Sequence, residues 1–227
     1  MADGTEQISQ TCDSSQNGVI SLLEEASHVS RGVFESIQAL AGTTYCKGVQ
    51  INELRKFAQR NGCWITEPST LGTFSDRGSE NEVYLAYNNL EVIKLNDFRY
   101  ADENLNSFFE RMDAHNYYFP DCAYTLLGFE ENREGKFCAV LSQHFIHSVR
   151  EATTEEITTV LIKMGFQPYL DGEYFSNGTH DIFDALPNNV LLGIDGELYF
   201  IDTIIYRSDE GNNHLYRSLS PRFAALK

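Results

Sequence analysis

Between Asp184 and Asp202 the chain reads D-A-L-P-N-N-V-L-L-G-I-D-G-E-L-Y-F-I-D, and this stretch sets what the rest can fold into. A carboxylate (Asp184), an amide (Asn189) and a second carboxylate (Asp202) are interleaved with the strand-like runs Val190-Leu191-Leu192 and Leu198-Tyr199-Phe200-Ile201. Asp195-Gly196 between the runs predicts a two-residue type I′ hairpin turn, which folds the strands back and brings Asn189 and Asp202 close together. Two oxygen ligands on adjacent strand ends suit Mg²⁺, which prefers hard oxygens and takes only one or two from protein beside water and phosphate. Asp184 is then a nearby third carboxylate, placed to orient a nucleophile. Such a layout suits phosphoryl transfer.

Composition removes several other classes. With 227 residues and 42% apolar content the chain is long enough to bury a core as one large domain or two small lobes. No run approaches the roughly 18 apolar residues of a membrane span, and the N-terminus lacks a signal-peptide pattern. The protein is expected to be soluble, to start in the cytoplasm and to have no membrane partner. A net charge of -16 without a basic stripe repels nucleic acid. The same charge repels ATP, so nucleotide binding would need Mg²⁺ and a locally placed Lys. Five scattered cysteines (Cys12, Cys46, Cys63, Cys122, Cys138) without C-x-x-C spacing predict reduced, mostly buried thiols.

Residues 1–17 are small and polar, and a disordered start is expected. Apolar positions from Ile20 to Leu40 recur at helical spacing and end at Gly42; a second helix spans Ile51 to Gln59 and ends at Asn61-Gly62. The plain reading is a helical pair packed on the domain behind it, the alternative a partner-docking arm. Short strands come next. Gly78 to Tyr87 reads as a loop running into a strand, Asn88-Asn89 as a turn, and Leu90 to Leu95 as the returning partner. Lys94 lies between apolar neighbours and shares a face with Val92. A lysine in a buried-looking strand needs an anionic partner, which phosphate plus a helix Glu would supply.

Asp102 to Met112 is helix-like, and its Glu110 is the carboxylate chosen to pair with Lys94, with Glu103 second. Strands are expected around Tyr124–Phe129 and Phe137–Gln143, and a helix from Thr154 to about Met164 with Thr153 or Thr154 as N-cap. Phe166 to Gly178 holds a short hairpin. His180 and Asp181 invite a metal or acid/base role, although residues of this kind beside a loop more often only hydrogen-bond. No G-x-S-x-G, H-E-x-x-H or Walker A sequence occurs.

The segment D-A-L-P-N-N-V-L-L resembles the catalytic loop D-x-x-x-x-N of protein kinases, with Ile201-Asp202-Thr203 at the place of D-F-G; E-V-I-K resembles V-A-I-K. More closely, the chain resembles the small kinase-like domains in polyvalent proteins of bacterial mobile elements and phages. The resemblance implies Asp184 as catalytic Asp, Asn189 and Asp202 as metal ligands, and Lys94 as the nucleotide-binding Lys. It also places Gly78 and Ser79 in a degenerate Gly-rich loop, and Gln143 in the connector Leu141–Ile146 that meets adenine. Ile182 and Phe183 stand where that superfamily has His and Arg, and Thr203-Ile204 replace Phe-Gly. Asp76 and Asn81 stand for the outer loop glycines.

The implied fold is α+β: a two-lobed minimal protein-kinase-like fold, with an antiparallel small-lobe sheet and a truncated large lobe, preceded by an N-terminal helical segment. Its divisions are a disordered start (1–17), a helical extension (18–65), a small lobe (66–146) and a large lobe with the catalytic loop (147–227). With 25 residues after Asp202, only a tail or a short helix is expected, without a peptide-substrate platform. The implied function is ATP- and Mg²⁺-dependent phosphotransfer to a Ser/Thr/Tyr hydroxyl of a protein. The alternatives are a pseudokinase-like nucleotide-binding or protein-interaction module, and a structural role in which the polar residues only cap turns.

Overall fold

The computed structural model describes residues 20–67, 70–101, 103–169, 172 and 174–208. The unstructured start expected at 1–17 lies outside the described residues; after Asp202, where only a tail or a short helix is expected, the described residues instead form a strand, Ile204–Arg207, because its residues pair in register with His180–Phe183. The chain is α+β and its described residues divide into two compact units, one containing those up to Phe109 together with Thr125–Gln143, the other Glu110–Tyr124 and those from His144 onward.

The first unit opens with α1 (Leu22–Ala41), capped by the Ser21 hydroxyl on Glu24 N–H and closed by left-handed Gly42. α2 (Lys47–Arg60) begins four residues before the apolar periodicity starts, because the backbone N–H groups of Cys46 and Lys47 both donate to the Glu103 carbonyl. Buried Gln50 ties the helical pair to the segment around Leu105: its amide donates to Ser30 and Asn106, and its carbonyl oxygen accepts from Leu105 N–H. Both helices pack on the strand Thr125–Glu131. Arg55 lies over the Trp64 and Phe137 rings while pairing with Glu131.

The sheet of this unit is antiparallel, in the order β1-β2-β3-β5-β4, made of β1 (Thr73–Arg77), β2 (Asn81–Leu85), β3 (Glu91–Asn96), β4 (Thr125–Glu131) and β5 (Phe137–His144). β1 is a defined strand where the sequence predicts only a region of short strands. On one face Tyr84, Ile93, Leu95, Cys138 and Val140 form a core cluster with Leu71 and Ala86. α3 (Asn106–Tyr118) starts and ends later than its apolar pattern, since the Asn104 side chain accepts from Asn106 N–H and fixes the first turn there.

The second unit holds α4 (Thr154–Lys163), whose Thr153–Glu156 capping box is complete. Around it lie a three-stranded sheet, β11-β10-β6, and a four-stranded sheet, β12-β9-β8-β7. Their members are β6 (Ser148–Glu151), β7 (Gln167–Tyr169), β8 (Tyr174–Ser176), β9 (His180–Phe183), β10 (Val190–Gly193), β11 (Leu198–Phe200) and β12 (Ile204–Arg207). Their inner residues, among them Ile157, Leu161, Phe166, Phe175, Ile182, Val190, Phe200 and Ile205, make one core.

The β10–β11 connection corrects the two-residue turn. It is a four-residue loop in which, of Asp195 and Gly196, only Gly196 has positive φ (86°), whereas a type I′ turn needs it at both central residues. Asp195 is held otherwise: its carboxylate accepts from Glu197 N–H and from the Tyr199 hydroxyl. The strands still pair as expected, Val190 with Phe200 and Leu192 with Leu198.

One buried group in the first sheet works against stability. Glu130 on β4 is 1% exposed and neither carboxylate oxygen has a hydrogen-bond partner. Burial, and then the charge of Glu82, push its carboxyl up to about 7. In the unfolded chain a Glu ionises near pH ~4.3. Between these values the unfolded state loses its proton first, so the folded state loses up to about 3 kcal/mol as pH rises from about 4 to 7 and nothing further above that. Glu130→Gln is expected to remove this slope. Thermal melts at pH 5 and pH 8 should show a fall in Tm several degrees larger in the wild type than in the variant.

Candidate functional site

Three polar residues meet at one end of the second unit's strands. β9 ends at Phe183, which pairs with Ile204 of β12, and the next residue, Asp184, turns the chain through a left-handed conformation (φ 57°). A non-glycine residue there costs roughly 1 kcal/mol or more, and Asp is among the few that accept it. Pro187 then opens a short 3-10 turn, Pro187–Asn189, with its fixed φ suited to the first position.

Asn189, 7% exposed, closes the loop from inside. Its side-chain N–H donates to the Asp184 carbonyl at 2.9 Å, and its Oδ1 accepts from Asn188 at 2.9 Å, which fixes the orientation of the amide. Its backbone carbonyl accepts from Ile201 N–H at 2.9 Å, so Asn189 and the residue before Asp202 are bonded across the strands. Asp184, Asn189 and Asp202 are thereby brought to the same strand ends. Asp184 and Asp202 are half-buried, within reach of solvent.

This donor set fits a hard divalent cation of the Mg²⁺ type. Asn189 Oδ1 keeps a second lone pair and the Asp202 carboxylate supplies a charged oxygen, the one or two protein ligands such an ion takes beside water and phosphate. Among the described residues no group of three or more His, Cys, Asp or Glu side chains could cage a metal by itself.

The first unit holds the other candidates. Lys94 on β3 pairs in register with Val83 of β2 and is 6% exposed. By strand alternation it faces away from Ile93, Leu95 and the core cluster, and shares its face with Asn81 and Asn96, which hydrogen-bond to each other at 3.0 Å. Gln143, 3% exposed at the end of β5, lies on the same face by alternation. Gly78 and Ser79 form the exposed β1–β2 turn, where Gly78 N–H donates to Asn81 carbonyl at 2.8 Å. A Cβ at Gly78 would meet only that carbonyl, at 3.7 Å, so the turn does not itself demand glycine.

Glu110 is exposed on α3 and belongs to the second unit. Glu103 is engaged elsewhere, its carboxylate accepting from the Thr44 hydroxyl at 2.6 Å. His180 and Asp181 are likewise hydrogen-bonded within the fold, His180 Nδ1 to the Tyr118 hydroxyl and Asp181 to the Ser208 hydroxyl. The loop positions Ile182 and Phe183 are fully buried apolar residues, Ile182 within the core. The four described cysteines are thiols, not disulfides.

Sequence reasoning missed Tyr124, His115 and Asn116. Tyr124 places its hydroxyl 2.9 Å from the Ile201 carbonyl and 3.3 Å from Asp202 Oδ1. These contacts join residues far apart in the chain, and no spacing rule announces them.

No helix among the described residues is long and apolar enough to cross a membrane. No characterised protein sequence matches the chain at a significant level. Residues 47–209 match the family described as the serine/threonine/tyrosine kinase found in polyvalent proteins; the match begins with α2 and runs through β12. With most of its length inside that match, the chain belongs to this family of kinase-like domains.

Proposed function

We propose that the chain is an ATP- and Mg²⁺-dependent phosphotransferase of the cytoplasm, with a Ser, Thr or Tyr hydroxyl of a protein as acceptor. The observation that carries this reading is the hydrogen-bonded link from Asp184 through Asn189 to Ile201, which gathers two carboxylates and an amide at adjoining strand ends. Asn189 and Asp202 hold the ion, and a bound Mg²⁺ supplies charge neutralisation on the phosphates. Lys94 neutralises phosphate from its strand, and buried surroundings keep that charge effective. Gly78, Ser79 and Gln143 line the nucleotide. Asp184 accepts a hydrogen bond from the acceptor hydroxyl, orients its oxygen towards the γ-phosphorus and takes its proton as the new O–P bond forms, while the bond from the γ-phosphorus to the β–γ bridging oxygen breaks and ADP leaves with that oxygen.

A second reading, nucleotide or protein binding without transfer, is favoured by one observation. The Gly78 N–H is already bonded inside its turn, which leaves the loop fewer donors for phosphate than a glycine-rich loop has.

Calorimetric titration of ATP with and without Mg²⁺, followed by assay of transfer to a generic protein substrate, separates the two. Lys94→Ala is expected to weaken Mg·ATP binding without unfolding the protein; unchanged affinity rejects the role of Lys94. The carboxylates should fail differently. Asp202→Asn should reduce Mg²⁺-dependent nucleotide binding and turnover together, whereas Asp184→Asn should leave affinity nearly intact and lower the rate about 10²- to 10⁴-fold. Equal loss of ATP binding in both variants would sink this division of roles.

A further inference from the structure

The strand that leads into Asp202 is gripped residue by residue from one short piece of chain. His115 on α3 is fully buried and its Nε2 lies 3.0 Å from the Phe200 carbonyl, which can only accept, so that nitrogen carries the proton. One helical turn on, the Phe119 ring stacks on Phe200 with centroids 4.2 Å apart. Asn116 then fixes Tyr124 at two points: its Oδ1 accepts from Tyr124 N–H at 2.7 Å and its Nδ2 donates to the Tyr124 carbonyl at 2.8 Å. The Tyr124 ring packs on the His115 imidazole at 4.7 Å. From this doubly anchored position the phenol reaches the Ile201 carbonyl and Asp202 Oδ1. Phe200, Ile201 and Asp202 are thus each engaged by His115, Phe119 or Tyr124.

We infer that Tyr124, held by Asn116 and His115, is a positioning residue that sets the rotamer of the Asp202 carboxylate for a divalent cation. The inference rests on the phosphotransferase reading of Asp202. A phenol has one proton, and two acceptors lie within its reach. The shorter contact, to the Ile201 carbonyl, fixes the backbone from which Asp202 springs, and the longer one biases Oδ1 towards the ring. An Asp side chain without such a restraint distributes over its rotamers, and an ion binding it must then order it. The loop Asp184–Asn189 imposes its own order through backbone bonds; Asp202, just past a strand of three residues, takes order from a side chain elsewhere.

The test is Tyr124→Phe, which keeps the ring against His115 and removes only the hydroxyl. Calorimetry with ATP at increasing Mg²⁺ reads the Mg²⁺ concentration at half-saturation, and ATP without Mg²⁺ serves as the reference. The inference expects the Mg²⁺ midpoint to rise about 3- to 10-fold, as for the loss of one ordinary hydrogen bond, while Mg²⁺-free ATP binding stays at the wild-type value. Leu161→Ala, a cavity in the same core, controls for a merely structural effect. It should lower Tm by at least as much as Tyr124→Phe and leave the midpoint in place. Should Tyr124→Phe fail to fold, Asn116→Ala releases the anchor and keeps the phenol, and a smaller shift in the same direction is expected. A wild-type midpoint in a folded Tyr124→Phe protein, or in Asn116→Ala where that variant has replaced it, overturns the inference alone, as does an equal shift in Leu161→Ala. Absence of any Mg²⁺-dependent ATP binding in the wild type overturns the phosphotransferase reading and this inference with it.

Discussion

The Asn189 side chain holds together what the second unit would otherwise keep apart. A left-handed aspartate leaves its own carbonyl pointing where no strand partner can reach, and a carbonyl left bare at a half-buried turn is costly. Asn189 satisfies that carbonyl with its amide while its backbone oxygen receives the N–H of Ile201, so one residue closes both the loop behind Asp184 and the hairpin before Asp202. Pro187 and Asn188 serve the same end, the first by fixing the turn that aims Asn189 inward and the second by fixing which way its amide faces. Asp at this position would place an acceptor against an acceptor, and Ala would remove the donor that the Asp184 carbonyl uses. A short polar segment can therefore keep a strained backbone and two carboxylates in place without a large helical scaffold around it.

The core beneath the loop explains why the departures from the kinase pattern are tolerated. Where that superfamily has a polar dipeptide, this chain has Ile182 and Phe183, both fully buried on β9 between β8 and β12 in the sheet. An imidazole or guanidinium there would need buried partners; two apolar side chains instead give the loop a rigid floor. The polar anchoring comes from α3, whose His115 lies in the core and holds the Phe200 carbonyl. Thr203, 4% exposed directly after Asp202, stands in place of a large aromatic.

Local signals in the sequence foretold local structure. Left-handed Gly42 and the Thr153 cap delimit α1 and α4 close to where their patterns put them, because cap chemistry acts within one turn of the residues that carry it. The hairpins around Asn88-Asn89 and between Val190 and Phe200 were legible for the same reason. What was not legible was set from a distance. α2 starts early because a carbonyl from residue 103 receives its first N–H groups, and Asp195 prefers its own side-chain bonds to the tight turn that Asp-Gly usually signals. Within the candidate site, the polar spacing D-x-x-x-x-N was readable because Asn189 reaches back only as far as Asp184. Tyr124 was not, since an aromatic at the start of a strand is ordinary core material until its hydroxyl is found on a strand from the other end of the chain.

The two carboxylates of the site are therefore ordered by different kinds of restraint. Asp184 is fixed through its main chain: its φ, its carbonyl and the turn after it make the side chain project from a rigid point, and the bond to Asn189 that closes the loop runs through its carbonyl and not its carboxylate. That arrangement suits a base, because the order of the loop then survives a change in the protonation state of the carboxylate. Asp202 is fixed through its side chain as well, one oxygen lying against a phenol, an arrangement that suits a ligand whose geometry matters more than its basicity. The proposed division of roles follows where each restraint falls, in a chain with Ile182 at the place of the usual loop histidine and Thr203 at that of the usual aromatic after Asp202.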